Sequence, residues 1–300
     1  MSPDASERRP GAGPGRAGLP ARPPPVAIPP RLAATLVLVR HGESEDLAAG
    51  RFQGWRETPL SALGRRQAAL AGARLVDPAA PPRLPVPAGE PLAVVHSPLQ
   101  RTSETAAAIS VAFAAAGRPL PPLVPEAGLR EVGQGTWEGL LQAEVEARYP
   151  ELIAGWRREP ALFHAPGGES LAAVDDRARA ALGRVVDMLA AAAGLDAAGR
   201  AAPLAAGSFY APQTGPWTIV VGHDGVFKVL LMALLGLPLE RFWSFTQATT
   251  GIAVIDLRNE RAVVRAWNRT EHLAPLEADL ADEERRSEER AADRDRGGAL

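Results

Sequence analysis

The sequence predicts an α/β domain, a three-layer sandwich in which helices cover both faces of a mostly parallel central sheet. One observation is a series of short, largely apolar runs rich in β-branched residues, such as residues 36–39 and 218–221, which is typical of strands buried on both faces. The other is that Ala-rich segments of helical length separate most of these runs. Parallel strands need such long connections between them, so the alternation favours a mostly parallel sheet.

Six strands are expected from the apolar runs. The last two flank residues 258–261 closely enough to form a hairpin, whereas helical segments or longer loops separate the others. In chain order, the predicted strands are residues 36–39, 92–95, a short strand near Leu123, 218–221, 251–257 and 262–266.

Serine residues mark the start of two predicted helices, because a serine side chain at the N-cap accepts a hydrogen bond from an otherwise free backbone N–H. Ser61 precedes a helix that runs to Leu75, and Ser170 precedes a long helix that ends near Ala193. Residues 191–216 are rich in Ala, Gly and Pro and are expected to loop out at the surface. The remaining predicted helices are residues 100–115, 225–235 and two short ones that suit a lid or cap, 141–149 and 152–158.

The order of these elements favours a single domain spanning residues 32–276. Residues 1–31 are rich in Pro, Gly, Ala and Arg without apolar periodicity, so we expect a disordered arm. Residues 277–300 alternate acidic residues with arginines and are expected to form a charged tail. The sequence shows no apolar stretch of the length found in a signal peptide or a membrane span, which favours a cytoplasmic protein.

Composition excludes several classes of function. The chain has no Cys, which excludes thiol catalysis, a disulfide framework and Cys-based zinc or iron–sulfur sites. Its formal net charge of −2 gives no electrostatic footprint for nucleic acid or for an anionic membrane surface. Lys228 is the only Lys, and the excess of Arg fits GC-rich coding rather than a binding patch. The expected partner is therefore a small molecule, and a homodimer is compatible with the sequence.

The segment TLVLVRHGESE, residues 35–45, places Arg40 and His41 directly after a predicted buried strand. Functional groups at the C-terminal ends of such strands lie along one rim of the sheet. A histidine beside a permanently charged guanidinium is disfavoured from protonating, so its ring keeps a free nitrogen lone pair. The pattern predicts a nucleophile next to an anion-binding group.

Further segments bring related residue types to the same rim. HSPLQRTSETA supplies Arg101 after the second strand, and VVGHDGV supplies His223 after a later one. Two planar guanidinium groups and two imidazoles around one point suit a tetrahedral dianion and no metal ion, because arginine does not ligate metals. The Gly-rich segment GLREVGQGTWEG adds Glu131, whose carboxyl group can carry the proton that a leaving alkoxide needs.

The chain resembles the histidine phosphatase superfamily, the phosphoglycerate mutase-like group, between residues 35 and 273. Any one of the shared motifs is a modest signal, whereas seven in the family's order are specific. The resemblance implies the phosphoglycerate mutase-like fold. The motifs are LVRHGES, RFQGWRETPLSALGRRQA, SPLQRTSETA, LREVGQGTWEG, PGGES, VVGHDGV and WNRTEHL.

Carried over residue by residue, the resemblance makes His41 the phosphorylated nucleophile and Glu131 the proton donor. The mechanism that the resemblance implies requires no metal and no organic cofactor. The phosphate pocket corresponds to Arg40, Arg101 and His223, and a family loop that approaches the phosphate corresponds to the segment carrying Arg51, Gln53 and Gly54.

One departure leaves the proton donor open. Asp224 directly follows His223, and the acid phosphatase branch of the superfamily uses the Asp of such a pair as its donor. We favour Glu131, because the segment around it matches the other branch, and we place Asp224 in the substrate-binding set.

The resemblance covers both phosphatases and mutases. The mutases hold a second phosphate and carry a longer, basic insertion after the Glu131 loop, whereas residues 140–163 are shorter and mixed in charge. We therefore predict a phosphomonoester hydrolase that acts through a phosphohistidine on a small phosphorylated metabolite. A phosphoglycerate mutase is the first alternative, and a non-catalytic phospholigand-binding module is the second.

Aromatic residues near the motifs are candidates for substrate contacts. Trp55 and Trp137 flank the predicted catalytic loops and suit an apolar wall against the organic part of a substrate. Trp243 and Phe245, in the segment RFWSF, are assigned to the core instead. His96, at a strand end near Arg101, is assigned a structural role.

Overall fold

The computed structural model describes residues 26–195, 215–279 and residue 285. These residues form a central six-stranded sheet with the strand order β3-β2-β4-β1-β5-β6. The strands are β1 Ala33–Arg40, β2 Val94–His96, β3 Leu123–Pro125, β4 Trp217–Gly222, β5 Ile252–Arg258 and β6 Arg261–Arg269.

The sheet is mostly parallel, as the sequence predicts. β3, β2, β4 and β1 pair with one another in parallel. β5 runs antiparallel to β1, and β6 runs antiparallel to β5 and so returns to the common direction. The β5–β6 hairpin turns at Asn259 and Glu260, which both adopt positive φ angles of 50° and 61°. Two such residues are what a tight hairpin turn needs.

Helices cover both faces of the sheet. The predicted caps are confirmed, because Ser61 Oγ accepts from the Gly64 N–H at 2.9 Å and Ser170 Oγ accepts from the Ala173 N–H at 3.2 Å. The helices are α1 Glu45–Ala48, α2 Ala62–Val76, α3 Gln100–Ala115, α4 Gln142–Arg148, α5 Pro150–Arg158, α6 Leu171–Ala192 and α7 Asp224–Leu235. Among the described helices, none is long and apolar enough to cross a membrane.

The alternation of side chains along β1 divides the core into two layers. Leu36 and Leu38 pack in a cluster with residues of α6 and α7, whereas Val37 and Val39 pack in a second cluster with residues of α2 and α3. Because successive residues of a strand point to opposite faces, a run that is apolar at every position requires cover on both sides. The three-layer sandwich is confirmed.

Some boundaries differ from those predicted. The helix α1 was not predicted, although Ser44 caps it by accepting from the Leu47 N–H at 3.2 Å. β6 extends three residues further than expected, to Arg269, because its polar residues lie on a half-buried edge strand where apolar periodicity is weak. Most of the predicted surface loop, residues 196–214, lies outside the described residues.

The packed chain begins before Leu32. Ile28 is 6% exposed and belongs to the core cluster of α6 and α7, and the Val26 N–H donates to the Ala233 carbonyl at 3.4 Å. Three apolar residues between prolines are too few to show periodicity, which is why residues 26–31 were assigned to the arm. At the other end, residues 274–279 are helical and run into the predicted tail, where Asp279 pairs with Arg66. The rest of the arm, and the tail apart from residue 285, lie outside the described residues.

Candidate active site

Three neighbouring parallel strands end level with one another at one rim of the sheet. The register aligns Arg40 of β1 with Gly222 of β4, and His96 of β2 with Val221 of β4. The residues that follow β1 and β4 therefore meet, and the ring centroids of His41 and His223 lie 5.1 Å apart. Beside them is a cavity of about 190 Å³ whose walls include Arg40, His41, Arg101, Glu131 and Asp224.

The hydrogen bonds of His41 fix its tautomer. Its Nδ1 lies 2.6 Å from the Gly42 carbonyl, which can only accept, so Nδ1 carries the proton. Its Nε2 receives a hydrogen bond from Arg101 Nε at 3.3 Å, which requires a free lone pair there. Burial, and then the charges of Arg101 and Arg40, lower the pKa of His41 well below 6.5. The ring is neutral at pH 7, with Nε2 available as a nucleophile.

Arg101 is buried in α3, next to His41. Its guanidinium donates to the carbonyls of Gly54 at 2.9 Å and Arg56 at 3.0 Å, which fixes the plane of the fork. Burial lowers the pKa of Arg101 to about 10, against the opposing effect of Glu131, so the group stays charged at neutral pH.

Arg40 is anchored at one end only. Its Nη1 donates to the Gln247 carbonyl at 2.6 Å, whereas its buried Nε has no hydrogen-bond partner among the described residues. A buried N–H without a partner is costly, and an anion in the cavity would supply one.

His223 depends on Ser97 for its orientation. Ser97 Oγ lies 2.9 Å from His223 Nε2, and its hydrogen has no other acceptor among the described residues, so we assign the ring proton to Nδ1. That Nδ1 is buried and has no partner in the described part of the chain. Burial, followed by the charges of Arg101, His41 and Arg40, lowers the pKa of His223 well below 6.5. The neutral ring therefore offers one N–H donor.

The first turn of α7 holds the carboxyl group of Glu131. Oε1 accepts from the N–H groups of Val132 at 2.9 Å and Val226 at 3.1 Å, and Oε2 accepts from the Gly225 N–H at 3.2 Å. The free N–H groups at a helix N-terminus are natural partners for a carboxylate. Glu131 is thereby fixed against the cavity.

Arg177 supports the Glu131 loop from behind, and the sequence analysis missed it. It donates to the carbonyls of Gly128 at 2.9 Å, Arg130 at 2.7 Å and Glu131 at 2.8 Å, and it pairs with Glu169 at 2.7 Å. Glu169 in turn accepts from the Gly133 N–H at 2.8 Å. The PGGES segment therefore acts on this loop through its glutamate. Only the family motif, which contains Glu169, pointed to the region.

Asp224 forms an ion pair inside the cavity wall. Its Oδ2 lies 2.6 Å from Lys228 Nζ, one helical turn later in α7, and its Oδ1 accepts from the Gln247 N–H at 2.9 Å. The Lys228 ammonium also lies over the rings of Phe242 and Trp243, at 5.1 Å and 4.9 Å from their centroids. The single lysine of the chain is thus part of the site, although sequence reasoning attributed its rarity to coding bias.

The loop after α1 contributes two of its three predicted residues to the cavity wall. Gln53 and Gly54 line the cavity, and the Gln53 amide oxygen accepts from Ser44 Oγ at 2.8 Å. Arg51 is exposed, donates to the Gly139 carbonyl at 2.7 Å and is not among the lining residues.

The aromatic wall differs from the one predicted. Trp137 is fully buried and packs on Phe52, and Trp55 lies outside the cavity with its Nε1 donating to the Glu131 carbonyl at 2.8 Å. Trp243 is half-exposed rather than in the core, because its indole completes the cavity wall instead of a packed layer. The aromatic residues that line the cavity are Phe52, Trp156, Phe242 and Trp243.

Comparison with known proteins identifies related chains. The model of the histidine phosphatase superfamily (branch 1) matches residues 36–195 and 194–270. Phosphoserine phosphatase 1 of Hydrogenobacter thermophilus is 32% identical over 242 residues, which cover 79% of this chain and 93% of that protein. Glucosyl-3-phosphoglycerate phosphatase of Mycolicibacterium vanbaalenii is 32% identical over 207 residues, which cover 69% of this chain and 76% of that protein.

Solved structures share the fold. Bacillus stearothermophilus YhfR superposes with a TM-score of 0.63 at 27% sequence identity, and the match covers 80% of this chain and 100% of that one. The two segments that match the family model include every motif that contributes to the cavity described above.

Proposed function

The chain belongs to the histidine phosphatase superfamily (branch 1), and we propose that it is a phosphomonoester hydrolase that works through a phosphohistidine on His41. The observation that carries the proposal is the state of the His41 ring. The ring is neutral, and its Nδ1 proton is donated to the Gly42 carbonyl. The lone pair therefore lies on Nε2, where it accepts from Arg101 Nε.

The phosphoryl group is bound by charge and by unpaired donors. Arg40 and Arg101 line the cavity with His41, whereas His223 is not among the lining residues and packs against the His41 ring at 5.1 Å. Arg40 Nε and His223 Nδ1 are buried and have no partner among the described residues. Fixed donors aimed at the equatorial oxygens stabilise the charge that spreads over them in phosphoryl transfer. A dianionic phosphomonoester suits this set better than a neutral ester.

Two steps complete the reaction. In the first, His41 Nε2 bonds to phosphorus as the bond to the leaving oxygen breaks, and Glu131 gives its proton to that oxygen. In the second, Glu131 takes a proton from water, the water oxygen bonds to phosphorus, and the nitrogen–phosphorus bond breaks to release phosphate. The same carboxyl group serves both halves.

Glu131 is the better candidate for the proton donor. Both oxygens of Asp224 are engaged, Oδ2 by Lys228 Nζ at 2.6 Å and Oδ1 by the Gln247 N–H at 2.9 Å. Glu131 lines the same cavity, and its hydrogen-bond partners among the described residues are backbone N–H groups only. Asp224 belongs in this proposal to the substrate-binding wall.

A small phosphorylated metabolite is the proposed substrate, as the names of the two relatives indicate. Phosphate release from a panel of phosphomonoesters, with phosphoglycerate isomerisation assayed in parallel, tests the function. We expect hydrolysis to dominate and added 2,3-bisphosphoglycerate not to stimulate isomerisation. Efficient bisphosphoglycerate-dependent interconversion would instead establish the mutase alternative, and binding of phosphate esters without turnover would establish the non-catalytic one. The cytoplasmic location and the homodimer stay predictions.

A further inference from the structure

We propose that the part of the cavity lined by Trp156, Asp224, Phe242 and Trp243 binds a neutral, hydroxylated ring, a sugar or cyclic polyol unit, as the leaving group of the substrate. This inference deepens the proposed hydrolase function and rests on it. It is drawn from three features of the cavity wall: a fixed aromatic surface, a neutralised ion pair, and the identity of the polar groups that remain accessible.

The aromatic surface consists of Trp156, Phe242 and Trp243, which all line the cavity. Trp243 meets Phe242 edge to face at 4.8 Å and Trp156 at 5.6 Å, and its Nε1 donates to the Trp156 carbonyl at 3.0 Å. These contacts hold the indole in place although 48% of Trp243 is exposed. A large ring that is fixed but not buried presents a preformed surface to a ligand.

The ion pair neutralises the wall beside that surface. The Lys228 side chain is 4% exposed, covered by the rings of Phe242 and Trp243 and by Asp224, whereas the Asp224 side chain is 21% exposed. Lys228 therefore cancels the charge of Asp224 and stabilises the rings, but its ammonium is not presented to a ligand. The group presented is the carboxylate of Asp224.

The accessible polar groups of this wall select the chemistry of the leaving group. Asp224 accepts hydrogen bonds from hydroxyl groups, and the amides of Gln53 and Gln134 also line the cavity. The negative face of an aromatic ring attracts the C–H edge of a saturated ring. Hydroxyl groups beside a C–H face are the pattern of a sugar.

A small acid fits this wall less well. Of the cations that line the cavity, Arg40 and Arg101 are engaged by the phosphoryl group in the proposed mechanism, and Lys228 is covered. A carboxylate on the leaving group would face Asp224 without an accessible cation of its own. Because a carboxylate only accepts hydrogen bonds, as Asp224 does, it would give up water there without gaining a donor from this ion pair, and the wall disfavours such a group.

Three primary phosphate esters test the proposal: glucose 6-phosphate, which carries a neutral ring, and phosphoserine and 3-phosphoglycerate, which carry carboxylates. We expect kcat/KM for glucose 6-phosphate to exceed that of either acid by roughly tenfold or more, and Trp243→Ala to reduce that preference about tenfold, an effect on the scale of one aromatic contact. Trp243→Leu keeps apolar bulk but has no aromatic ring, so it should also lower the preference for glucose 6-phosphate. This variant replaces Trp243→Ala in the test if the alanine variant does not fold. Trp267→Ala, in β6 and outside the cavity wall, is the matched control.

The outcomes are distinguishable. A preference of the wild-type enzyme for either acid would overturn the ring site while leaving the hydrolase function intact. If the Trp243 variants lowered kcat/KM by the same factor for all three esters, the ring site would also be overturned and the hydrolase function would stand. A wild-type enzyme inactive on every ester, including nitrophenyl phosphate, would overturn the hydrolase function itself and the ring site with it.

Discussion

At the scale of single residues, the site depends on which nitrogen of each histidine carries the proton. The Gly42 carbonyl holds the His41 proton on Nδ1, so that the lone pair lies on Nε2, where it accepts from Arg101 Nε. The Ser97 hydroxyl makes His223 Nδ1 a donor. The two rings are close neighbours with opposite roles, one as nucleophile and one as hydrogen-bond donor. Both roles need a neutral ring, and burial among arginines lowers both pKa values.

Substitution of the two candidate proton donors gives a prediction at this scale. A basic alkoxide needs its proton in the transition state, whereas nitrophenolate departs almost unaided. Glu131→Gln should therefore slow alkyl phosphates by about 10²–10⁴-fold and nitrophenyl phosphate far less. Asp224→Asn should slow both types by similar factors, because it disturbs the wall and not the proton transfer. The measurement is kcat/KM for both substrate types with each variant.

The opposite pattern would contradict the assignment. If Asp224→Asn showed the leaving-group dependence and Glu131→Gln did not, Asp224 would be the donor, and the chemistry would lie nearer the acid phosphatase branch.

The sequence predicted several charged and titratable residues of the candidate site, but not Lys228 or the residues that orient them. Arg40, His41, Arg101 and His223 were predictable because each follows a strand end or belongs to a motif. Ser97, Arg177 and Trp243 were not, since their roles depend on contacts between segments far apart in the chain, and no local pattern encodes such contacts.

At the scale of elements, the N-terminus of α7 contacts both the histidine pair and the candidate proton donor. His223 is its N-cap residue, and the N–H groups of Gly225 and Val226 hold the carboxyl group of Glu131. A Cβ atom on Gly225 would lie 2.5 Å from Glu131 Oε1 and 2.9 Å from Val132 Cγ2. The absence of a side chain there is what lets the loop approach the helix.

Gly225→Ala should therefore displace Glu131 and lower kcat for alkyl phosphates by roughly 10²-fold, the cost of a misplacement near 1 Å. Gly183 in the middle of α6 is the matched control, because a Cβ atom there meets nothing within 4 Å. Gly183→Ala should leave kcat unchanged and raise the free energy of unfolding by about 0.5–1 kcal/mol. Steady-state kinetics and urea unfolding of both variants check the pair. Normal kcat in a folded Gly225→Ala enzyme would refute this role of α7.

Most elements were predictable because their cause is local. The caps of α2 and α6 follow from Ser61 and Ser170, and the strands follow from short apolar runs. The short helix α1 and the length of β6 were not predictable from apolar periodicity, because a four-residue helix and a half-buried edge strand have little of it.

At the scale of the whole molecule, buried neutral histidines make stability depend on pH. Burial lowers the pKa values of His41 and His223 well below 6.5 and that of His272 to about 4. Below pH 6.5 the unfolded chain binds protons that the folded chain does not, so stability falls as pH falls towards the folded pKa values. At pH 7.5 neither state binds these protons, and the contribution of the three residues is fully present.

Urea unfolding without phosphate should therefore show a loss of stability between pH 7.5 and 5.5. Each histidine contributes about 1.4 kcal/mol over this interval, or roughly 4 kcal/mol for the three together. His272→Gln, outside the cavity wall, should make the dependence shallower by about a third. A free energy of unfolding that is constant over this range would show that the three rings are not held neutral by the fold.

The limits of the domain were the least predictable feature at this scale. Val26 and Ile28 lie in a segment whose composition is typical of disorder, yet Ile28 packs in the core. Composition averages over a window, whereas a single apolar side chain can dock if the core offers a place for it. That place is formed by residues far along the chain, and so it is not visible in the local sequence.

The central claim, a phosphohistidine on His41, is tested most directly by trapping the intermediate. Wild-type enzyme mixed with a ³²P-labelled phosphomonoester and quenched in base should carry label that survives base and is lost in acid, as a nitrogen–phosphorus bond does. A cooperative thermal unfolding transition would show that the His41→Ala variant is folded. That variant should carry no label and release no phosphate. Label that is stable to acid, as on a serine, or an active His41→Ala enzyme would contradict the account.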